Sequence, residues 1–157
     1  MCGACARWLY LKLSTKYFGE IECSESDTLS FPRGLFAFEE ETEFLLLPFS
    51  GSNDTLLCLQ SMKTPELAFV VMNPFSLDPG YAPVLQPEEL KELGVKESTE
   101  LCYYVLCVVK NPVSNSTVNM KCPVAINDEN RKAIQVILEA EGYGMRHLLS
   151  EFQAEEG

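Results

Sequence analysis

Leu9, Leu11 and Leu13 alternate with Tyr10 and Lys12, the period-two pattern of a strand with one buried face. A second strand is expected over residues 17–23, interrupted by Gly19, which marks a bulge or bend. Ser24-Glu25-Ser26-Asp27 reads as a turn, and residues 29–31 as a short strand stopped by Pro32. Residues 44–49 and 56–60 form two apolar runs around Gly51-Ser52-Asn53-Asp54, as a hairpin would. The continuous run at 67–72 reads as a buried strand ended by Asn73-Pro74, and the strand over 101–109 meets the same stop at Asn111-Pro112. Residues 117–126 are expected to be another strand, with Pro123 at an edge or bulge, and 133–138 read as strand in preference to helix. One helix stands out at 87–94. Pro87 suits its first turn, Glu88 and Glu89 complement the N-terminal dipole, Leu90 and Leu93 share a face, and Gly94 ends it. Residues 151–157 are acidic and read as a frayed end.

Eight or nine short strands with one short helix predict a mostly β, single-domain antiparallel β-barrel-like fold, with a sandwich as the neighbouring solution. A length of 157 residues fits one domain with its own core. Hydrophobic residues at 46% and charged residues at 22% set aside disorder, collagen and coiled coil.

Charge changes the picture more. Twelve Lys and Arg against 23 Asp and Glu leave a net charge of -11. That field has the wrong sign for direct binding of nucleic acid or an anionic membrane, and it attracts a basic partner. No run approaches the roughly 20 apolar residues of a membrane span, and the start of the chain does not read as a signal peptide. A cytoplasmic protein is expected.

Candidate chemistry is sparse. The seven cysteines are odd in number, and several, such as Cys58 and Cys107, lie in apolar runs as small hydrophobes do. Cys2-Gly3-Ala4-Cys5 has zinc or thiol spacing but lacks the second pair that a structural zinc site uses. His147 is the only histidine, beside Arg146 and without a nucleophile signature, so it reads as a strand-end residue paired with a carboxylate. The run Glu39-Glu40-Glu41-Thr42-Glu43 reads as a solvated acidic loop, because a working acid needs burial or a close neighbour to shift its pKa. The glycines are scattered, with no phosphate-cradling loop. Neither cofactor nor metal is expected. The alternatives are a zinc- or thiol-dependent interaction module and a small Cys/His hydrolase. Aromatic residues gather near turns: Tyr17, Phe18, Phe31, Phe36, Phe38, Phe75 and Tyr81. Each reads either as core or as a contact anchor.

Thr15-Lys16-Tyr17-Phe18-Gly19-Glu20-Ile21, followed by Leu29-Ser30-Phe31-Pro32-Arg33-Gly34-Leu35, resembles the opening of the flagellar assembly factor FliW family. Leu67-Ala68-Phe69-Val70-Val71-Met72-Asn73-Pro74-Phe75 is similar to its central signature. Cys122-Pro123-Val124-Ala125-Ile126-Asn127 and Tyr143-Gly144-Met145-Arg146-His147 resemble its later segments. The likeness runs in order from about Leu11 to Leu149. It implies an N-terminal extension over 1–10, a body over 11–149 and an acidic tail over 150–157. The family usually carries Pro-Gly where this chain has Phe36-Ala37.

The resemblance implies a non-enzymatic, cytoplasmic, barrel-like binding protein without a cofactor. Such proteins bind the translational regulator CsrA, relieve its repression of flagellin mRNA, and bind flagellin itself, coupling flagellin synthesis to assembly. Candidate contacts, from physics and resemblance together, are Tyr17 and Phe18 at the bend, the acids Glu39, Glu40, Glu41 and Glu43, Asn73 and Phe75 at a strand end, and Val118 and Met120 on a late strand. The acidic face can cover the RNA site of the regulator or act on it from another face; the sequence leaves both open.

Overall fold

The computed structural model describes residues 10–49 and 56–153. The Gly51-to-Asp54 loop, Cys2 and Cys5 lie outside the described residues. β1 (Tyr10–Ser14) and β2 (Glu20–Ser24) form an antiparallel hairpin with Leu13 opposite Ile21. Next come β3 (Leu29–Ser30), β4 (Glu43–Pro48), β5 (Leu56–Ser61) and β6 (Ala68–Met72), and β4, β5 and β6 each pair antiparallel with the strand before. Helices α1 (Pro74–Leu77) and α2 (Pro87–Leu93) precede β7 (Cys102–Val108). The chain finishes with β8 (Thr117–Val118), β9 (Val124–Asn127), β10 (Lys132–Gln135), β11 (His147–Leu148) and α3 (Leu149–Gln153).

Seven of these strands close a barrel in the order β3-β4-β5-β6-β7-β9-β10 and back to β3. β7 is the branch point. Its first half, Cys102 to Tyr104, pairs with β9, while Cys107 and Val108 pair with β8, which carries β11 on its far edge. Closure removes the sheet edges that an open meander would expose.

β5, β9 and β10 are buried on both faces, which is why β5 and β9 read as apolar runs. Leu57 and Leu59 of β5 point into the barrel with Leu29, Phe31, Phe44 and Val71, and the Phe31 and Phe44 rings meet edge to face with centroids 5.1 Å apart. Along β7, Tyr104 and Leu106 pack on this inner core, while Tyr103, Val105 and Cys107 belong to an outer core. That outer core is covered by the segment carrying α1 and α2 and by Leu138, Tyr143 and Leu149 of the C-terminal part. On another side the β1–β2 hairpin lays Leu13 and Cys23 over Leu45.

The mostly β barrel and the helix at 87–93 agree with the sequence reading, including the left-handed Gly94 after the helix (φ 81°). Asn127 and Asn130 donate their side-chain amides to Leu93 O at 2.7 and 3.1 Å, satisfying the carbonyl that this helix end leaves free.

Four expectations are corrected. The described residues hold three short α-helices, not one: Asn73-Pro74 ends β6 but also starts α1, because the Asn73 side chain accepts from Phe75 N and Pro74 suits the first helical position. The run 117–126 is two strands, not one. Asn119 Oδ1 accepts from Lys121 N and Cys122 N at 3.2 and 3.0 Å, a local turn that outcompetes the ladder. The barrel is not wholly antiparallel: β10 runs parallel to β3, with Lys132 opposite Ser30, because the β9–β10 hairpin returns the chain in that direction. The acidic end is not frayed from residue 151, since α3 continues to Gln153.

Candidate functional site

The bend at Gly19 is built by Thr15. Its hydroxyl donates to Gly19 O at 2.7 Å and accepts from Phe18 N at 2.9 Å, and Gly19 supplies the left-handed φ of 68°. Tyr17 and Phe18 therefore lie in the turn, before β2 begins, and their rings pack on Phe49 at 5.7 and 5.2 Å. Tyr17 stays exposed, with the Lys16 ammonium 5.4 Å from its ring centroid. Lys16 N donates to Gln60 Oε1 at 2.9 Å, which ties the hairpin tip to the barrel.

The acidic run divides. Glu39, Glu40 and Glu43 are exposed, but Glu41 is committed inward. It accepts from the Ser61 hydroxyl and, at 2.8 Å, from the Thr64 hydroxyl. The Ser61 hydrogen bond is the largest influence on Glu41 and holds its carboxyl below the ordinary value. Partial burial opposes this, and Thr64 and the charge of Lys63 add to the lowering. The expectation of a wholly solvated loop fails at this one position. Because Gln60 and Ser61 are adjacent, the aromatic bend and the Glu41 anchor share one end of β5.

Asn73 and Phe75 occupy a different place. Phe75 is 41% exposed and stands edge-on to Tyr81 and Tyr103, with centroids 5.7 and 6.3 Å away. It forms the wall between two concavities. One, of about 220 Å³, runs along Asn73 and Leu101 to Tyr104; the other, of about 450 Å³, is an apolar groove with Pro83, Val84 and Leu101. Both tyrosines are fixed: Tyr81 donates to Met120 O and Tyr103 to Ser98 O, each at 2.7 Å. Burial pushes the Tyr103 phenol up to about 12, with the Ser98 hydrogen bond acting against it, and burial raises Tyr81 further.

Val118 and Met120 are each 1% exposed and belong to the outer core. They are corrected from candidate contacts to core residues, since the turn at Asn119 folds Met120 under Tyr81. Among the other turn aromatics, Phe31 and Tyr81 are core, while Phe36 and Phe38 remain exposed. The groove residues Val84 and Tyr103 were missed by the sequence reading. The signal for Val84 was the proline-punctuated stretch 79–87, which is apolar yet cannot enter a sheet ladder.

Cys23, Cys58, Cys107 and Cys122 are buried free thiols whose pKa values burial raises, as structural cysteines have; Cys102 is exposed. Both ring nitrogens of His147 are engaged. Nε2 accepts from Gly144 N at 2.7 Å, and Nδ1 lies 3.1 Å from Glu151 Oε1. Among the described residues, no group of three or more His, Cys, Asp or Glu is placed to hold a metal ion, and no helix is long and apolar enough to cross a membrane.

The family model described as "FliW protein" matches residues 12–149. "Flagellar assembly factor FliW" of Geobacillus kaustophilus (strain HTA426) is 37% identical over 139 residues, spanning 88% of this chain and 95% of that protein. The protein of the same name from Syntrophomonas wolfei subsp. wolfei is 38% identical over 147 residues, spanning 93% and 94%. A solved structure, "Crystal structure of the flagellar assembly factor FliW", superposes with a TM-score of 0.81 at 36% identity, covering 88% of this chain and 96% of that one. The segments that carried the resemblance in sequence thus lie within the matched residues 12–149, and the chain belongs to the FliW family.

Proposed function

We propose that this chain is a non-enzymatic flagellar assembly factor of the cytoplasm. It binds the translational regulator CsrA, relieves repression of flagellin mRNA, and binds flagellin, so that flagellin synthesis follows assembly. The observation that carries this reading is the agreement of sequence and fold, over nearly the whole barrel, with proteins named flagellar assembly factor FliW. The charge supports it: a chain of net charge -11 with Glu39, Glu40 and Glu43 exposed favours approach of a basic RNA-binding protein and disfavours RNA.

The experiment is a pulldown of purified chain with CsrA and flagellin, singly and in competition. Each alone should be retained, and added flagellin should displace CsrA. Retention of neither would sink the reading.

A further inference from the structure

We propose that His147 is a proton-operated clasp: its neutral ring holds the Tyr143-Gly144 turn against the barrel, and protonation at Nε2 releases that turn while leaving α3 in place.

The tautomer follows from the partners. Glu151 faces His147 Nδ1 with one carboxylate oxygen at 3.1 Å and accepts from Leu148 N with the other at 3.0 Å. The His147 hydrogen bond is the largest cause holding the Glu151 carboxyl below its ordinary value, followed by the Leu148 amide, so this carboxylate is ionised wherever histidine titrates. An ionised carboxylate only accepts, so Nδ1 carries the hydrogen and Nε2 keeps its lone pair. That lone pair accepts the Gly144 N–H at 2.7 Å, and the ring lies so close that a Cβ on Gly144 would sit 3.4 Å from Nε2. A protonated ring donates at both nitrogens. Its Nδ1 side gains an ion pair with Glu151. Its Nε2 side turns a donor toward the Gly144 donor, and that bond is lost.

The turn holds more than itself. Gly144 O accepts from Met120 N at 3.0 Å and from Lys121 N at 3.1 Å. Tyr143 packs on Tyr81 with centroids 4.7 Å apart, and its hydroxyl accepts from Ala82 N at 2.9 Å. The clasp thus reaches from the C-terminal segment to the Tyr81 and Ala82 wall of the apolar groove. Release is local, because the pairing of β11 with β8 and the bond from Leu149 N to Ser116 O do not use the imidazole.

The surroundings leave the ring free to titrate. Its side chain is 24% exposed, so a proton reaches it from solvent without unfolding. From α3 it is faced by the Glu151 carboxylate and by the Phe152 ring at 5.9 Å. β8, across the ladder, carries Thr117 and Val118, and residues 113–115, which pack on α3, have no ionisable side chain. Along the chain leading through the turn, Glu139, Glu141 and Arg146 are exposed, and the Lys121 ammonium is committed to Leu138 O at 3.0 Å.

The test is an NMR titration of the isotope-labelled full chain from about pH 8 to about pH 5. His147 is the only histidine, so its ring signals stand alone. At the upper end Nε2 should be unprotonated and show scalar coupling to Gly144 N across the hydrogen bond. As Nε2 takes its proton the coupling should vanish, and protection of the Gly144 amide from exchange should fall about ten-fold or more. Met120 N and Lys121 N should lose protection with it, while Leu149 N and the β5–β6 ladder keep theirs. His147→Gln offers an acceptor that takes no proton, and should leave the Gly144 amide protected throughout. A Gly144 amide indifferent to protonation of the ring would overturn the clasp, as would a ring that stays neutral to the end of the titration. Equal loss of protection in His147→Gln would assign the change to another group and overturn it too. Simultaneous loss across the barrel would replace the local clasp with global unfolding. If the variant does not fold, the ring and amide signals of the wild-type chain still decide.

Discussion

The Ser61 hydroxyl donates to the Glu41 carboxylate across 20 residues of chain, and the same hydroxyl accepts from Thr64 N at 2.9 Å and Lys63 N at 3.1 Å. Glu41 therefore stabilises the end of β5, where Ser61 is fully buried. Because folding lowers the Glu41 pKa below its ordinary 4.5, its contribution is complete above that value and lost as pH falls through the lower folded value. Glu41→Gln should destabilise the chain by about 1–2 kcal/mol at neutral pH. In urea melts the gap between wild type and variant should stay constant from pH 7 down to about 5 and narrow below the ordinary carboxylate value. A gap that persists undiminished to pH 2 would deny Glu41 this role.

Gln60 is the next residue to test, because it is fully buried and joins three segments. Its amide donates to Ser61 O and Pro65 O at 3.1 Å and to Leu67 O at 3.3 Å, while its oxygen holds Lys16 N. Gln60→Leu keeps the volume but strands these partners, at a cost of about 1–3 kcal/mol for each group left unsatisfied. Gln60→Glu should be worse, since it turns the donor into a buried acceptor facing carbonyls. Hydrogen exchange at Lys16 N reports the loss directly. Protection there that is unchanged in Gln60→Leu would mean that the hairpin tip does not depend on this bond.

Two glycines and an alanine separate backbone strain from crowding. Gly19 and Gly34 both have left-handed φ, at 68° and 65°, but a Cβ at Gly19 would meet open space, whereas at Gly34 it would fall 2.5 Å from Phe38 O. Gly19→Ala should cost about 1–2 kcal/mol, and Gly34→Ala distinctly more because backbone must move. Ala37 already bears this strain at φ 73°. Ala37→Gly should stabilise by a few tenths to about 1 kcal/mol, the relief of strain being partly offset by glycine's greater unfolded freedom. Thermal melts of the three variants should rank Ala37→Gly above wild type, then Gly19→Ala, then Gly34→Ala.

These residues also mark what was legible in the chain. Local signals held: the strand that buries Leu13, the Asn73-Pro74 stop, and the capping pattern from Pro87 to Gly94. What failed was decided at a distance or by a side chain competing with the backbone. Closure of the barrel rests on one parallel pairing, Lys132 with Ser30, which no periodicity encodes. Asn119 broke an apolar strand pattern by bonding its own neighbours, so Val118 and Met120 turned from possible edge contacts into core. Glu41 lies in a run that looks solvated, and only the arrival of Ser61 and Thr64 distinguishes it from Glu40. The groove gathers Phe75, the 81–84 stretch and the 98–103 stretch, each unremarkable alone.

The net charge itself makes a last prediction. With -11 on the chain, encounter with a basic partner should be steered, and steering acts over distances that salt shortens to about 8 Å at physiological ionic strength. The association rate with CsrA, followed by stopped flow, should fall by roughly ten-fold or more between low salt and half-molar salt. The dissociation rate should change far less, because it depends on contacts already made and desolvated. Neutralising the exposed Glu39, Glu40 and Glu43 together should flatten the salt dependence of the association rate in proportion to the charge removed, without slowing release. An association rate indifferent to salt would leave the acidic balance of this chain to solubility alone.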